Sequence, residues 1–310
     1  MNSKKSFSSR FIVLLNMMLC FSMWLPISYA QATYKFTDRD TCSLYLDVYK
    51  PTAENNHCCV LFVFGGGFIT GQRDAEEYVK FAKQLNDRGY TFVSIDYRLG
   101  LKGANMKGVH AIGSLEKAIA IAVEDLFSAT EYLVQNAQDF GFDADKIVLC
   151  GSSAGAITVL QGDYELCNRT ALAQNLPADF HFAGVIPFAG AIFSRHGAVK
   201  YKESPAPTLF FHGINDRLVT YKSIRFFNLG FFGANALVKR FEKFDYPYCA
   251  RRYEGLGHEV AGIMNHEVET VDGFIRHLVL NRENIQSDAT LFDAGIKPLN
   301  WGRMRPSVLY

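Results

Sequence analysis

Hydrophobic and polar positions follow two different periods along residues 40–282. Short apolar runs, such as 58–64 and 91–95, have the continuous hydrophobicity of strands that are buried on both faces. Longer segments between them, such as 74–86 and 112–138, repeat apolar residues at helical spacing. Strands that alternate with helices predict an α/β fold with a mostly parallel central sheet and helices on both faces.

The remaining elements complete this alternation. The pattern predicts strands at 43–48, 146–150, 182–188, 207–211 and 249–253, and helices from 154 and over 267–280. Strand 43–48 alternates apolar and polar residues, which is typical of a half-exposed edge strand. No Gly/Ser/Pro-rich linker divides the chain, so we expect one domain over residues 31–283, followed by a polar C-terminal tail at 284–310.

The first 30 residues have the pattern of a secretory signal peptide. A basic start that ends at Arg10 precedes an apolar run at residues 11–25, and small residues stand at Ser28 and Ala30. The alternative is a membrane anchor, but this run is shorter than the ~20 residues that span a bilayer. We therefore expect cleavage after Ala30, export to the periplasm or medium, and no stable membrane insertion afterwards.

Composition excludes some partners and leaves others open. The net charge is +1, and cleavage after residue 30 leaves 29 basic and 31 acidic side chains, so no global basic field exists to bind nucleic acid. Six cysteines follow the segment 1–30, and their disulfide pairing remains open, although Cys150 has the setting of a buried thiol. The sequence contains neither a CxxC pair nor an HExxH motif, so we expect no metal site.

The segment 151–155 reads Gly-Ser-Ser-Ala-Gly and follows a predicted buried strand. This is a G-x-S-x-G sequence in strand–turn–helix context, where small neighbours let a sharp turn close and expose a nucleophilic serine. The candidate nucleophile is Ser153. The alternative is an ordinary Gly/Ser turn, which the preceding strand disfavours.

A serine hydroxyl needs a base, and the base needs a carboxylate to orient it. His258 lies in a glycine-bounded loop after the strand 249–253, and Asp216 follows the strand 207–211. The chain order Ser153, Asp216, His258 is the order of α/β-hydrolases. The alternatives are a surface-loop histidine and a turn or helix-capping aspartate.

An acyl-transfer site also needs donors for the negative oxygen that forms during the reaction. The N–H of Ala154 follows the nucleophile, and the three glycines at 65–67 follow an earlier predicted strand, where a second set of donors belongs. The glycines could instead cradle a phosphate, but the P-loop lysine and the G-x-G-x-x-G spacing are both missing.

Together these segments resemble the α/β-hydrolase carboxylesterases, especially the branch of hormone-sensitive-lipase-like and acetyl-esterase enzymes, over roughly residues 40–282. The segment 96–99, Asp-Tyr-Arg-Leu, belongs to the same resemblance and implies that Asp96 and Arg98 brace loops. Phe64 stands where that branch often has a histidine. The site that the resemblance implies consists of Ser153, Asp216 and His258 as catalytic residues and Gly66, Gly67 and Ala154 as oxyanion donors.

The resemblance implies a serine esterase that forms an acyl-enzyme and requires no cofactor. Because the sequence shows no long amphipathic lid of the lipase kind, we expect short-chain esters, such as acetylated carbohydrate or small-molecule esters, as substrates. The alternatives are a serine peptidase of the prolyl-oligopeptidase type and an inactive binding module on the same fold. The phenylalanine-rich segment 225–232 either packs a helix onto the core or lines an acyl pocket. The oligomeric state stays open.

Overall fold

The computed structural model of the chain describes residues 31–108 and 110–298. The strands are β1 (Gln31–Arg39), β2 (Cys42–Tyr49), β3 (Cys59–Val63), β4 (Thr91–Ile95), β5 (Ile147–Ser152), β6 (Gly184–Phe188), β7 (Ala191–Ser194), β8 (Thr208–Gly213), β9 (Ser223–Phe226), β10 (Leu229–Gly233), β11 (Tyr248–Tyr253) and β12 (Gln286–Leu291). The helices are α1 (Glu76–Asn86), α2 (His110–Gln135), α3 (Ala137–Phe140), α4 (Ala154–Cys167), α5 (Ala234–Lys243) and α6 (Val268–Phe274), which a π-helical turn continues over Ile275–Leu280. The segment 1–30, with its predicted cleavage site, lies outside the described residues.

The central sheet has the strand order β1-β2-β4-β3-β5-β6-β8-β11-β12. Strand β2 pairs in antiparallel fashion with both β1 and β4, and every pairing from β4 to β12 is parallel. Every residue of β3, β4, β5, β6 and β8 is buried. Because successive strand residues point to opposite faces, both faces of the sheet must be covered. The predicted α/β fold class is confirmed.

The two edges of the sheet differ from the sequence-based prediction. The strand predicted at 43–48 is not an edge strand, because β1 pairs with β2 on its outer side. At the other edge, Gln286–Leu291 from the segment assigned to a tail forms β12 and pairs with β11. Both added strands are largely exposed, so their sequences lack the apolar runs that mark the central strands.

A small antiparallel sheet, β7-β10-β9, stands beside the main one. Because β7 follows the carboxyl end of β6, this small sheet lies at the carboxyl edge of the parallel strands. The expectation that segment 225–232 packs a helix onto the core is wrong, because β9 and β10 form a hairpin there. The six cysteines of the described residues are free, and Cys150 is fully buried, as predicted.

Candidate active site

Ser153 lies between the last residue of β5 and the first residue of α4, with a φ of +51° and a ψ of −114°. A non-glycine residue in this region stores about 1–3 kcal/mol of strain, which the surrounding structure must hold. A Cβ at Gly155 would lie 1.9 Å from the Val63 carbonyl oxygen, and one at Gly151 would lie 2.5 Å from the backbone of Gly155. The turn therefore closes only because both flanking residues are glycine.

Three segments distant in sequence meet at this turn. His258 Nε2 lies 2.7 Å from Ser153 Oγ, and His258 Nδ1 lies 2.8 Å from Asp216 Oδ2. His258 begins the 3₁₀ turn His258–Gly262 after β11, and Asp216 follows β8. An ionised carboxylate only accepts hydrogen bonds, so Nδ1 carries the proton and Nε2 can accept the proton of the serine. The structure thus brings the three sequence-predicted residues into one hydrogen-bonded chain.

Asp216 is held as a carboxylate. Its Oδ1 accepts backbone N–H bonds from Leu218 and Val219 at 2.9 and 3.0 Å, and His212 Nε2 lies 3.4 Å from Oδ2. Burial by itself raises the pKa of Asp216, but hydrogen bonds from His212 and His258 outweigh it and hold that pKa well below its usual range. A fixed negative charge beside His258 favours an imidazolium that forms during a reaction.

The glycine loop after β3 approaches the serine turn closely. A Cβ at Gly65 would lie 3.3 Å from the Ser153 Cβ. Gly66 and Gly67 have φ values of +111° and +64°, which glycine adopts without strain. Among the hydrogen bonds of the described residues, none uses the N–H of Gly66, Gly67 or Ala154 as a donor. These N–H groups, predicted as oxyanion donors, are therefore available to an oxygen bound beside Ser153.

Two further residues, Ser152 and Tyr78, connect the serine turn and the glycine loop to other elements, and no sequence pattern indicated them. Ser152 Oγ donates a hydrogen bond of 2.8 Å to the Ala261 carbonyl oxygen, in the 3₁₀ turn that begins at His258. The Tyr78 hydroxyl accepts the N–H of Gly65 at 3.4 Å. Both contacts span long sequence separations, so no local motif could have indicated them.

The segment 96–99 has the bracing role that the resemblance implied. Arg98 forms ion pairs with Asp125 at the start of its loop, and Arg73 binds the Asp96 carboxylate at 2.8 Å. The Tyr97 hydroxyl donates a 3.0 Å hydrogen bond to the carbonyl oxygen of Phe64, directly before the three glycines. Tyr97 thereby fixes the entry of the loop that carries Gly66 and Gly67.

Within the described residues, no cluster of His, Cys, Asp and Glu side chains could hold a metal ion. The same part of the chain contains no helix with the length and apolar character needed to cross a bilayer. A cavity of about 1020 Å³ lies at the amino ends of the strands, between Lys146, Ala183 and Pro247, and so at the edge of the sheet opposite Ser153.

The BD-FAE family model matches residues 46–192, a segment that contains the glycine loop and Ser153. Gut esterase 1 of Caenorhabditis elegans is 29% identical over 122 residues, which are 38% of this chain and 20% of that protein. Cholinesterase 1 of Branchiostoma lanceolatum is 32% identical over 37% of this chain and 31% of its own length. The matched part of the chain thus spans a fifth to a third of these relatives.

Solved structures match a larger share of this chain than the sequence relatives do. Thermogutta terrifontis esterase 2, in a form phosphonylated by cyclosarin, aligns with a TM-score of 0.60 and 18% identity over 82% of this chain and 96% of that one. Its apo form aligns with a TM-score of 0.59. At 18% sequence identity, this structural similarity shows that the two chains share a fold. The chain thus has a fold of the α/β-hydrolase type, and part of it is similar to the BD-FAE family model and to esterase relatives.

Proposed function

We propose that this protein is a serine carboxylesterase that acts through Ser153, His258 and Asp216. The observation that carries the proposal is the continuous chain of hydrogen bonds from Ser153 Oγ through His258 to Asp216 Oδ2, with separations of 2.7 and 2.8 Å. Both separations are within the hydrogen-bond reach that proton transfer between nucleophile and base requires. The esterase relatives support the same class of reaction.

The first half of the reaction forms an acyl-enzyme. As Ser153 Oγ bonds to the ester carbonyl carbon, its proton moves to His258 Nε2, and the carbonyl oxygen becomes an oxyanion beside the N–H groups of Gly66, Gly67 and Ala154. Collapse of this intermediate breaks the bond to the alkoxide, which leaves with the proton from Nε2. The Asp216 carboxylate contacts the imidazole of His258 and not the reacting atoms. It acts only by orienting the imidazole and stabilising its cation.

The second half regenerates the serine. A water molecule loses a proton to Nε2 as its oxygen bonds to the acyl carbon, and a second oxyanion forms at the same donors. Its collapse breaks the bond to Ser153 Oγ, which recovers a proton from Nε2, and the carboxylic acid departs. Water supplies the hydroxyl group of the acid, and its other hydrogen replaces the serine proton that left with the alcohol, so the cycle balances without a further reactant.

We propose short acyl groups, from acetyl to butyryl, on small-molecule or carbohydrate esters as the substrates. Leu101, which is buried, donates its N–H to the Phe68 carbonyl oxygen at 2.9 Å, so the loop after β4 closes against the glycine loop. We infer that this contact closes one side of the acyl site beside Gly66 and Gly67. Thermogutta terrifontis esterase 2 has been solved with propionate and with butyrate bound, which agrees with this acyl size.

The test compares purified parent with Ser153→Ala and with the double variant Ser153→Ala/His258→Ala on p-nitrophenyl acetate. We expect each variant to lose about 10⁴-fold or more in kcat, and the double variant to be scarcely worse than Ser153→Ala, because these residues act as a unit. A peptide p-nitroanilide assayed in parallel should be hydrolysed poorly. A parent that cleaves the peptide amide and not the ester would contradict the proposal.

We also propose that the protein is exported and that the mature chain begins at Gln31. The charged start, the apolar run at 11–25 and the small residues at Ser28 and Ala30 support this. Intact-mass analysis of protein recovered from its host should give the mass of residues 31–310. Mature protein that retains Met1 would overturn this proposal and would leave the esterase proposal untouched.

A further inference from the structure

Exposed apolar side chains concentrate in the hairpin of β9 and β10. Phe226 and Phe227, at its turn, are 70% and 84% exposed, and Ile224 is 67% exposed. Ile224 and Phe226 lie on the same face of β9, because residues two apart along a strand share a face. We call residues 224–229 the hairpin tip. A contiguous apolar surface of this kind is characteristic of a site that contacts another apolar phase.

A second exposed segment lies at the same edge of the sheet as the hairpin tip. Gly197 N–H donates a 2.7 Å hydrogen bond to the carbonyl oxygen of Asn228, and Arg195 forms an ion pair with Glu116 in the first turns of α2. The loop that leads into α2 carries Met106, which is 45% exposed. Residues 195–197 thereby join the hairpin tip to α2, and the loop before α2 follows the carboxyl end of β4, at the same edge of the sheet as Ser153.

The loop that leads into α2 and the segment that contains the hairpin tip are both basic. Residues 99–115 and 217–233 have no Asp or Glu. Their exposed cations are Lys102, Lys107, Arg217, Lys222 and Arg225. Across the described residues, none of these five cations forms an ion pair with a carboxylate. Arg225 instead lies over the ring of Phe232, with its guanidinium carbon 5.8 Å from the ring centre.

We propose that this edge docks peripherally on an anionic phospholipid surface. The side chains of Phe226 and Phe227 enter the interfacial layer, and the surrounding cations contact lipid phosphates, which is the combination of forces that holds peripheral proteins on membranes. A second copy of the chain fits this edge less well, because a two-fold contact would bring uncompensated cations of both copies together. Docking would turn the Ser153 edge toward the lipid.

Vesicle co-sedimentation tests the proposal without using catalysis, so its outcome is independent of the proposed esterase activity. The probes are vesicles of pure phosphatidylcholine and vesicles of equal parts phosphatidylcholine and phosphatidylglycerol. We expect the parent to bind the anionic vesicles and to lose most of that binding in high salt, because electrostatic attraction to lipid is screened. Each of Phe226→Ser and Phe227→Ser should weaken binding by about tenfold.

Matched control variants distinguish binding by the hairpin tip from nonspecific adsorption to vesicles. Phe244→Ser removes a phenylalanine that is 42% exposed at the end of α5, away from the Ser153 edge, and should leave vesicle binding unchanged. Lys222→Gln/Arg225→Gln should weaken binding by about fivefold for each cation removed, whereas Lys239→Gln/Lys243→Gln on α5 should not. All the replaced side chains are exposed or lie outside the core, and circular dichroism melts verify that each variant folds.

Three results would overturn the proposal. The first is a parent that does not sediment with anionic vesicles. The second is equal loss of binding in Phe226→Ser and Phe244→Ser. The third is a light-scattering mass that shows a dimer of the parent and a monomer of Phe226→Ser/Phe227→Ser, because the hairpin tip would then be covered by a second copy.

Discussion

Replacing Asp163 with asparagine should change how folding stability depends on pH. Asp163 lies in α4 and is only 4% exposed. Burial raises the pKa of its carboxyl from 3.8 to about 7, although the N–H of Ala206 and the thiol of Cys167 oppose this by hydrogen bonding to the ionised form. The folded protein therefore binds this proton more tightly than the unfolded chain does.

The sign and size of the effect follow from that difference. Because the folded pKa is the higher one, stability is lost as pH rises from the unfolded pKa, and the loss is complete above the folded pKa. One pKa unit corresponds to about 1.4 kcal/mol, so a shift from 3.8 to about 7 lowers the free energy of unfolding by about 4 kcal/mol at alkaline pH. Asparagine keeps the shape and an acceptor oxygen but carries no proton to lose.

Urea unfolding of parent and Asp163→Asn over pH 5 to pH 8 measures the effect. The stability of Asp163→Asn relative to the parent should increase by about 3 kcal/mol across this range. Asp179→Asn, at an exposed aspartate, is the matched control for the change of side-chain charge itself. A constant difference between Asp163→Asn and the parent would refute the reasoning, because Asp163 would then titrate alike in both states.

Other predictions concern the residues around the serine turn. Ser152→Ala leaves the Ala261 carbonyl oxygen without its hydrogen bond, so it should lower the free energy of unfolding by about 1–3 kcal/mol and lower kcat with little change in KM; an unchanged kcat would contradict the positioning role. Tyr97→Phe should lower stability by about 1 kcal/mol in urea unfolding and reduce kcat several-fold, because the loop after Phe64 loses its anchor. Across p-nitrophenyl esters of increasing chain length, kcat/KM should be highest between acetate and butyrate, and a higher value for a long-chain ester would show that the acyl site is open.

The sequence alone could predict the central strands and the residues at their carboxyl ends. Strands β3 and β5 are continuous apolar runs that end in glycine-containing turns, so the strands and the turns at their carboxyl ends were recognisable. Parallel strands gather their carboxyl ends at one edge, so Ser153, Asp216 and His258 could be expected to meet there. Their order along the chain then distinguished them from other serine, aspartate and histidine residues.

Other features depend on tertiary contacts that local patterns do not encode. Strand β12 is mostly exposed and takes its place by pairing with β11, so its polar sequence resembled a tail. The hairpin of β9 and β10 keeps Phe226 and Phe227 exposed, contrary to the usual burial of phenylalanine. The bond from Ser152 to Ala261 joins residues that are 109 positions apart, and only the folded chain brings them together.

The measurement that tests the esterase account most directly is the site of reaction with a fluorophosphonate. Peptide mapping by mass spectrometry after labelling of the native protein should place the adduct on Ser153, whose hydroxyl lies 2.7 Å from His258 Nε2. Ser152 is the neighbouring internal control, because its hydroxyl is buried and bound to the Ala261 carbonyl oxygen. The account predicts labelling of Ser153 that is lost in His258→Ala. An adduct on Ser152, or a protein that hydrolyses esters while Ser153 stays unlabelled, would contradict it.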